Sequence, residues 1–328
     1  PDTGREGMGF LARSYEMHFN ERPFLHHKCY LFLTKTTKER MRQQSNWNTL
    51  CRGHIVPKEI QDKETAVKFI EAVEQFARIL NDSGHIRLRR LSDDELTGTE
   101  KETGIIGRYF ALSPGNVDCL EDMEMTAREM RIGDNRLCLH TLSDTEDSRY
   151  ERLSTDRSDC RLSFAAPVGL LLPCNHIYNQ YVFIGNSDEE LRRFEKTARN
   201  MQSLSRYSRQ NAINREWIEE YLNEAHSQGL KSVRAHFNVM AWSDDAEELK
   251  RIKNDVGSQL ASMGCVPRHN TTDCPTLFWA GIPGNAADFP AEEAFHTFIG
   301  QAVCLFAGET NYKDSPSAFG IRMADRIS

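Results

Sequence analysis

Residues 233–242 constrain the fold more than any other stretch of this chain. Val233, Ala235, Phe237, Val239 and Ala241 fall on one side of an extended backbone, with Arg234, His236 and Asn238 on the other. That is the period of two expected of a strand with one face on a core. The period then changes. Ser243 reads as a helix cap, Asp244, Asp245 and Glu247 suit the positive end of a helix dipole, and Leu249, Ile252, Val256, Leu260 and Met263 recur at three and four until Gly264. A further apolar run, Thr276–Ile282, reads as a second strand. Strand, helix and strand in close succession predict a βαβ unit with a right-handed crossover.

The flanking sequence supplies more elements. Asp62–Asn81 is a helix by the spacing of Ala66, Ile70, Val73, Ala77 and Leu80, stopped at Gly84. Ser187–Tyr207 is another, with Leu191, Phe194, Ala198, Met201 and Leu204 on one face. A third starts near Asn214, with Ile213 and Ile218 closing its entry as a hydrophobic staple, and runs to Gly229. Met8–Phe19 reads as a helix, and Lys28–Thr34, His85–Leu91 and Tyr178–Ile184 read as strands. Arg128–Ile132 and Arg136–Leu142 flank Gly133-Asp134-Asn135 as a hairpin. The polar passage Thr36–Lys58 joins elements, and acidic Ser143–Ser148 reads as a surface loop between lobes. The expected fold class is α+β: two lobes of mixed β-sheet with long packed helices. Residues 1–147 form the N-terminal lobe, and 148–328 the C-terminal lobe with the βαβ unit.

Composition excludes several classes. With 39% hydrophobic and 27% charged residues over 328 positions, a substantial core forms and global disorder is excluded. Nine cysteines are scattered without a Cys-x-x-Cys pair, as in a reduced, cytosolic protein rather than a disulfide framework. A net charge of −7 is wrong for a protein that coats nucleic acid over its whole surface. No charged and then apolar leader opens the chain. Leu162–Ser187 carries no charge, and Phe164–Cys174 is strongly apolar, but Pro167, Gly169 and Pro173 interrupt it. A spanning helix needs about 20 apolar residues, so this run reads as a buried loop feeding the next strand. An exposed patch for a membrane-bound partner is the sharper alternative.

Motifs that carry chemistry are few. No Gly-x-x-x-x-Gly-Lys-Ser/Thr phosphate loop occurs, and neither Gly4 to Gly9 nor the stretch after Gly53 leads to the Lys–Ser/Thr pair. His26-His27 would point to opposite faces of an extended segment, and Cys51-x-x-His54 and Cys174-x-His176 lack second halves at zinc-finger spacing. Asp93-Asp94 and Asp244-Asp245 read as helix starts, not paired catalytic carboxylates. There is no His-Glu-x-x-His and no Gly-x-Ser-x-Gly. No catalytic, metal or cofactor residue is assigned.

Several stretches carry a resemblance. RAHFNVMAWSDDAEELKRIKNDVGSQLASMGC, followed by LFWAGIPGN, resembles the N-terminal module of the large ATPases that power type IV secretion. There a strand, an "eeL" helix and a strand ending in Pro-Gly precede the motor. HFNERPFLHHKCYLFLTKTTKER, CRGHIVPKEI, RYERLSTDRSDCRLSFAAPVGLLLPCNHIYNQYVF and ETNYKDSPSAFGIRMADR narrow it to the TraG conjugation proteins of Bacteroidetes-type conjugative transposons. The similarity covers nearly the whole chain. It implies the front part of an ATPase, consistent with a start at Pro1 and a stop at Ser328, with the phosphate loop a short distance beyond. ATP and Mg are then expected only in that motor domain. The implied role is a non-catalytic assembly module at the cytoplasmic face of the inner membrane. Its implied partners are its own motor domain and membrane components of the transfer channel, with self-association left open.

One charged feature stands above background. Lys196–Arg215 holds Lys196, Arg199, Arg206, Arg209 and Arg215 without an acid, and Arg192, Lys196, Arg199 and Arg206 share a helical face opposite the Leu191/Phe194/Met201 stripe. The plain reading is a solvated face. The functional reading is an interaction face for an acidic partner, anionic lipid or DNA. A nucleic-acid-binding module using the basic helix Arg192–Arg215 is the alternative to the assembly module, and an unrecognised hydrolase is a third, weaker one.

Overall fold

The computed structural model describes residues 27–35, 63–84, 86–126, 129–142, 164–170, 172–204, 208–263, 265–290 and 293–307. The expected helix 8–19, the passage 36–58 and the acidic loop 143–148 lie outside the described residues. The protein is α+β and divides into two compact units. One takes Cys29–Leu120 with Phe278–Phe289, the other Glu121–Leu277 with the chain from Pro290 on and the segment up to Lys28. A single cut after residue 147 does not follow this division.

The first unit is helical. α1 (Lys63–Asp82) forms where expected, with Glu64 and Lys68 paired one turn apart, but it buries no residue: Val73, Ala77 and Leu80 of the expected stripe are half-buried, while Ala66 and Ile70 are exposed. It ends as Ser83 Oγ donates to Leu80 O at 2.6 Å and Gly84 turns at φ +72°. Of the expected strand His85–Leu91, the described residues 86–91 form none. Instead the Asn81 side chain brackets Leu88, accepting from its N–H at 2.6 Å and donating to its carbonyl at 3.3 Å. A side-chain amide thus supplies the bonds that a strand partner would have offered. α2 (Asp93–Thr97) carries a complete capping box from Ser92 and Glu95. Glu95 also receives Arg89 at 2.6 and 2.8 Å, which holds its carboxyl down at about 2. α3 (Ile105–Ala111) sends the Tyr109 hydroxyl to Phe278 O at 2.7 Å, and Phe110 packs edge-on against Trp279 at 5.6 Å. The expected strand 28–34 is also missing, since residues 27–35 make no strand pairing.

The second unit is built on one sheet. In chain order it holds β1 (Met123–Met125), β2 (Met130–Ile132), β3 (Asn135–Leu142), α4 (Ala166–Gly169), β4 (His176–Phe183), α5 (Ser187–Leu204), α6 (Arg209–Gln228) and β5 (Ser232–Ser243). Then follow α7 (Ala246–Ser262), β6 (Pro267–Asn270), α8 (Cys274–Ala280), β7 (Phe295–Phe298) and α9 (Ile299–Cys304); the last residues of α8 belong to the first unit. The strand order is β1-β2-β3-β5-β4, with β6 on β3 and β7 on β5. Every described pairing is antiparallel, where the sequence suggested a mixed sheet. The hairpin forms where expected but with a two-residue turn: Ile132 pairs with Asn135, expected in the turn, across Gly133 and Asp134, with Gly133 at φ +56°.

The strand–helix–strand unit exists but closes elsewhere. The return strand is β6, not Thr276–Ile282, which lies in α8 and the turn after it. β3 stands between β5 and β6 and is antiparallel to both, so the two run the same way with one strand inserted, a split βαβ arrangement. Periodicity cannot separate a short apolar run such as Thr276–Ala280 from a buried helical turn. Pro275, in the first turn where its missing N–H costs nothing, settles it as helix.

Two other details differ by a few residues. The cap of α7 is Asp245, which accepts from Glu247 N at 2.8 Å, while Ser243 Oγ accepts from Asp245 N at 3.1 Å and donates to Glu248. α6 starts after Ser208, and Asn214 is buried inside it, accepting from Gln210 Nε2 at 2.9 Å. Asn214 is therefore no cap.

The core lies on one side of β5. Val233, Ala235, Phe237, Val239 and Ala241 meet Leu249, Ile252, Val256 and Leu260 of α7, with Ala165, Val168 and Leu172 beside them. Among the described residues of the apolar run 164–174, the short helix α4 and its flanks bury Ala165, Val168 and Leu172, in line with the buried-loop reading. No helix among the described residues is long and apolar enough to cross a membrane. Leu260 is fully buried. Replacing it by Ala should cost about 2–5 kcal/mol in chemical denaturation. A loss below about 1 kcal/mol, the scale of surface changes, would contradict its place in this core.

Candidate functional site

The predicted basic face sits on α5. Asn186 Oδ1 accepts from Asp188 and Glu189 N–H at 3.1 and 3.3 Å, fixing the first turn. Leu191, Phe194 and Ala198 pack on Ile218, Tyr221, Leu222 and Ala225 of α6. Arg192, Lys196 and Arg199 are exposed on the opposite side, as the spacing required. Arg199 is tied to Glu195, its Nε donating to the Glu195 carbonyl at 3.3 Å with the carboxylate 3.7 Å away. Arg192 and Lys196 make no ion pair among the described residues. Arg206 lies outside the described residues. The stretch Arg192–Arg215 is two helices rather than one, and Arg215 is paired with Glu219 at 2.8 Å.

The second cluster was not foreseen. The polar side of β5, expected to be merely opposite the core, is itself buried: Ser232, His236 and Asn238 are nearly inaccessible. Register aligns polar partners on the neighbours, with Asn179 opposite Asn238 and Tyr181 opposite His236. On β3 and β6, Thr141 is opposite Arg268. A continuous chain of hydrogen bonds follows. Thr141 Oγ1 donates to Asn270 Oδ1 at 2.8 Å, and Asn270 Nδ2 donates to Asp273. Arg268 joins Asp273 at 2.5 Å to Glu293 at 2.9 and 3.1 Å. His236 Nδ1 lies 2.8 Å from the Glu293 carbonyl, and Asn238 Nδ2 lies 3.1 Å from His236 Nε2. Asn179 Nδ2 donates to Asn238 Oδ1 at 3.0 Å.

Electrostatics decide what this cluster can do. Burial pushes His236 down to about 4, so it is neutral near pH 7. With its proton directed at a carbonyl and its lone pair at Asn238, it has no free nitrogen with which to act as a base. Burial disfavours the Arg268 charge, yet Glu293 and Asp273 more than offset this and raise its pKa. Arg268 is the fork that two carboxylates require. The cluster is satisfied internally and joins β3, β4, β5 and β6 to the segment at 293.

The remaining histidines and thiols behave alike. His140 and His269 face each other at 5.1 Å, and burial holds His140 down at about 4. His296, also about 4 by burial and then by Arg234 and Arg193, lies edge-on to Phe194 at 4.8 Å with Glu190 Oε2 3.9 Å from its Nδ1. Burial raises Cys138 and Cys274 to about 12 and Cys174 to about 11, so these thiols stay protonated and poor nucleophiles. His176 of the Cys174-x-His176 pair lies within hydrogen-bond distance of the Cys174 and Gly169 carbonyls at 2.9 and 3.2 Å, pinning the turn before β4. His27 stands 6.1 Å from the His176 ring; His26, Cys51 and His54 lie outside the described residues. Among the described residues no three His, Cys, Asp or Glu side chains are grouped as a metal would need.

The buried histidines set a pH dependence. In the unfolded chain each titrates near 6.5, and in the fold His140, His236 and His296 titrate near 4. The unfolded state therefore binds more protons between these values, and stability falls as pH drops through that window. Denaturant unfolding should give a plateau above about pH 7 and a decline below, up to about 1.4 kcal/mol per pH unit for each histidine. His236→Asn should reduce that slope by about one proton. A flat profile from pH 7 to 5 would contradict these assignments.

Comparison with protein-family models found no match for this chain, and comparison with curated proteins found none either.

Proposed function

We propose that this chain is a non-catalytic assembly module of a conjugative-transfer ATPase of the type IV secretion kind, working at the cytoplasmic face of the inner membrane. In this reading it connects the motor, where ATP and Mg bind, to membrane components of the transfer channel. The observation that carries it is the segment 234–265, on which the resemblance is most specific. It folds as one long strand and one helix, β5 and α7, at the centre of a unit. The last part of the resemblance departs from the family pattern, since LFWAGIPGN is a helix and a turn rather than a strand ending in Pro-Gly.

The docking face of the module is the outer side of α5. Arg192 and Lys196 project there without acidic partners among the described residues, while the opposite stripe is consumed by α6. Nucleic acid is the second reading, and the same two cations favour it. Against it, the basic stretch is split between two helices and two of its arginines are already paired with glutamates. Single-stranded nucleic acid also wants aromatic platforms beside the cations, and the exposed side of α5 carries none among the described residues.

The full-length parent carrying Glu at 192, 196, 199 and 206 should lose transfer in cells while its folded content stays unchanged. The isolated chain should bind single- and double-stranded oligonucleotides only weakly in fluorescence anisotropy at about 0.15 M salt. Submicromolar binding that falls steeply with salt and disappears in the fourfold variant would replace the assembly reading with the nucleic-acid one. Normal transfer by the fourfold variant would remove α5 as a docking face.

A further inference from the structure

We infer that His140 and His269, cross-strand neighbours on β3 and β6, form a two-imidazole site for a borderline divalent metal ion such as zinc. The inference stands on the sheet alone and does not rest on the conjugation reading.

Register brings the two rings together. His140 pairs directly with His269 where β6 closes on β3, and residues directly opposite in an antiparallel pair share a face. That face lies under α7, because Cys138 and Leu142, two residues to either side of His140, belong to the core that α7 covers. His140 is 4% exposed, whereas His269 is open to solvent. The pair thus has one dry member and one wet one, and an ion reaches it from the side of His269.

His140 is the ring that lacks something. Its Nδ1 is inaccessible and has no hydrogen-bond partner. His236, buried in the same sheet, has a partner at each ring nitrogen. The His269 side chain makes no hydrogen bond among the described residues either. A buried polar atom left bare is costly, and here the described residues supply nothing to meet it.

The separation fits an ion held by both rings. Their centres stand 5.1 Å apart, tilted by 50° rather than stacked. Two imidazoles bound at about 2.1 Å to one tetrahedral ion have centres roughly 5 Å apart, and a linear ion would spread them beyond about 6 Å. The spacing therefore selects a bent geometry, with the remaining positions left to water. Imidazole suits zinc, copper and nickel among divalent ions, and magnesium and calcium prefer oxygen. Burial keeps both rings toward the neutral form that ligates, and Lys253 of α7 adds to this.

Other neighbours limit the strength of the site. Cys138 lies one pleat away, but no group of three His, Cys, Asp or Glu forms among the described residues. The charge of half-buried Lys253 opposes any cation between the rings, while Asp273 favours one near His269. Two imidazoles beside a lysine bind more weakly than a four-ligand structural site. Their position gives the ion a use all the same. β6 is four residues long and closes the split βαβ unit, so a metal bridging it to β3 fixes that closure.

Isothermal titration of the whole 328-residue chain with zinc chloride, after accessible thiols are blocked by alkylation, tests this. The expected result is micromolar binding that weakens by about tenfold or more in His269→Gln and His140→Gln. Lys253→Gln should tighten binding severalfold, which a lysine with only a structural role would not do. X-ray absorption of the zinc-loaded chain should show nitrogen and oxygen at about 2.0–2.1 Å and no sulfur at about 2.3 Å. Amide exchange at 267–270 should slow when zinc is added. Should His140→Gln fail to fold, His269→Gln, at the exposed position, gives the same readout. No binding up to millimolar zinc overturns the inference and leaves a buried water as the partner of His140 Nδ1. Binding that His269→Gln leaves unchanged also overturns it, since the ion would sit elsewhere. A sulfur shell would overturn it too, because thiols rather than imidazoles would hold the ion.

Discussion

Everything in the second unit depends on β5 being buried on both faces. One face is apolar and follows the ordinary rule that apolar area withdrawn from water stabilises by about 25 cal/mol per Å². The other carries Ser232, His236 and Asn238 into the same dry interior. A buried polar group without a partner costs roughly 1–3 kcal/mol, so each neighbour must deliver a matching group at the right register. β4 brings Asn179, β3 brings Thr141, β6 brings Arg268 and Asn270, and the segment before β7 brings Glu293. A slip of one residue would turn all of them to the wrong face. The polar row thus specifies register where apolar packing alone would tolerate alternatives.

Arg268 is the pivot of this arrangement. Asp273 lies where the chain leaves the sheet for residues 278–289, and Glu293 lies where it returns. One guanidinium holds both carboxylates and so closes the base of that excursion. His236 adds a second tie to the returning segment through the Glu293 carbonyl. Because the histidine is neutral and the arginine doubly paired, the network behaves as a frame rather than as reacting groups. Arg192 and Lys196 of α5, by contrast, face solvent, and the proposed docking face is drawn from them.

Much of the fold was legible because it rests on long periodic runs. The stripes of α5 and α7, the alternation of β5 and the Gly133-Asp134 turn leave little choice. Short or unpaired segments were not legible. Residues 86–91 alternate like a strand but find an asparagine side chain in place of a partner, and Thr276–Ala280 is apolar enough for either state. The strand that closes the βαβ unit, PRHN, looks like a loop in isolation. Its strand character comes from β3, which lies over a hundred residues away in the sequence and which no local pattern can anticipate. The candidate face on α5 was readable as a spacing of cations. The buried polar network was not, although Asn, His, Thr and Arg at alternate positions of separate strands were its signal.

The central claim of the proposed function is that this chain serves as a platform and does not itself carry nucleotide chemistry. The 328 residues contain no Lys–Ser/Thr phosphate loop to cradle β- and γ-phosphates and hold Mg. Isothermal titration of the chain with Mg-ATP, followed by an assay for released phosphate, tests this most directly. The account predicts no heat of binding and no turnover above buffer. Micromolar binding, or hydrolysis abolished by a single substitution within this chain, would contradict it.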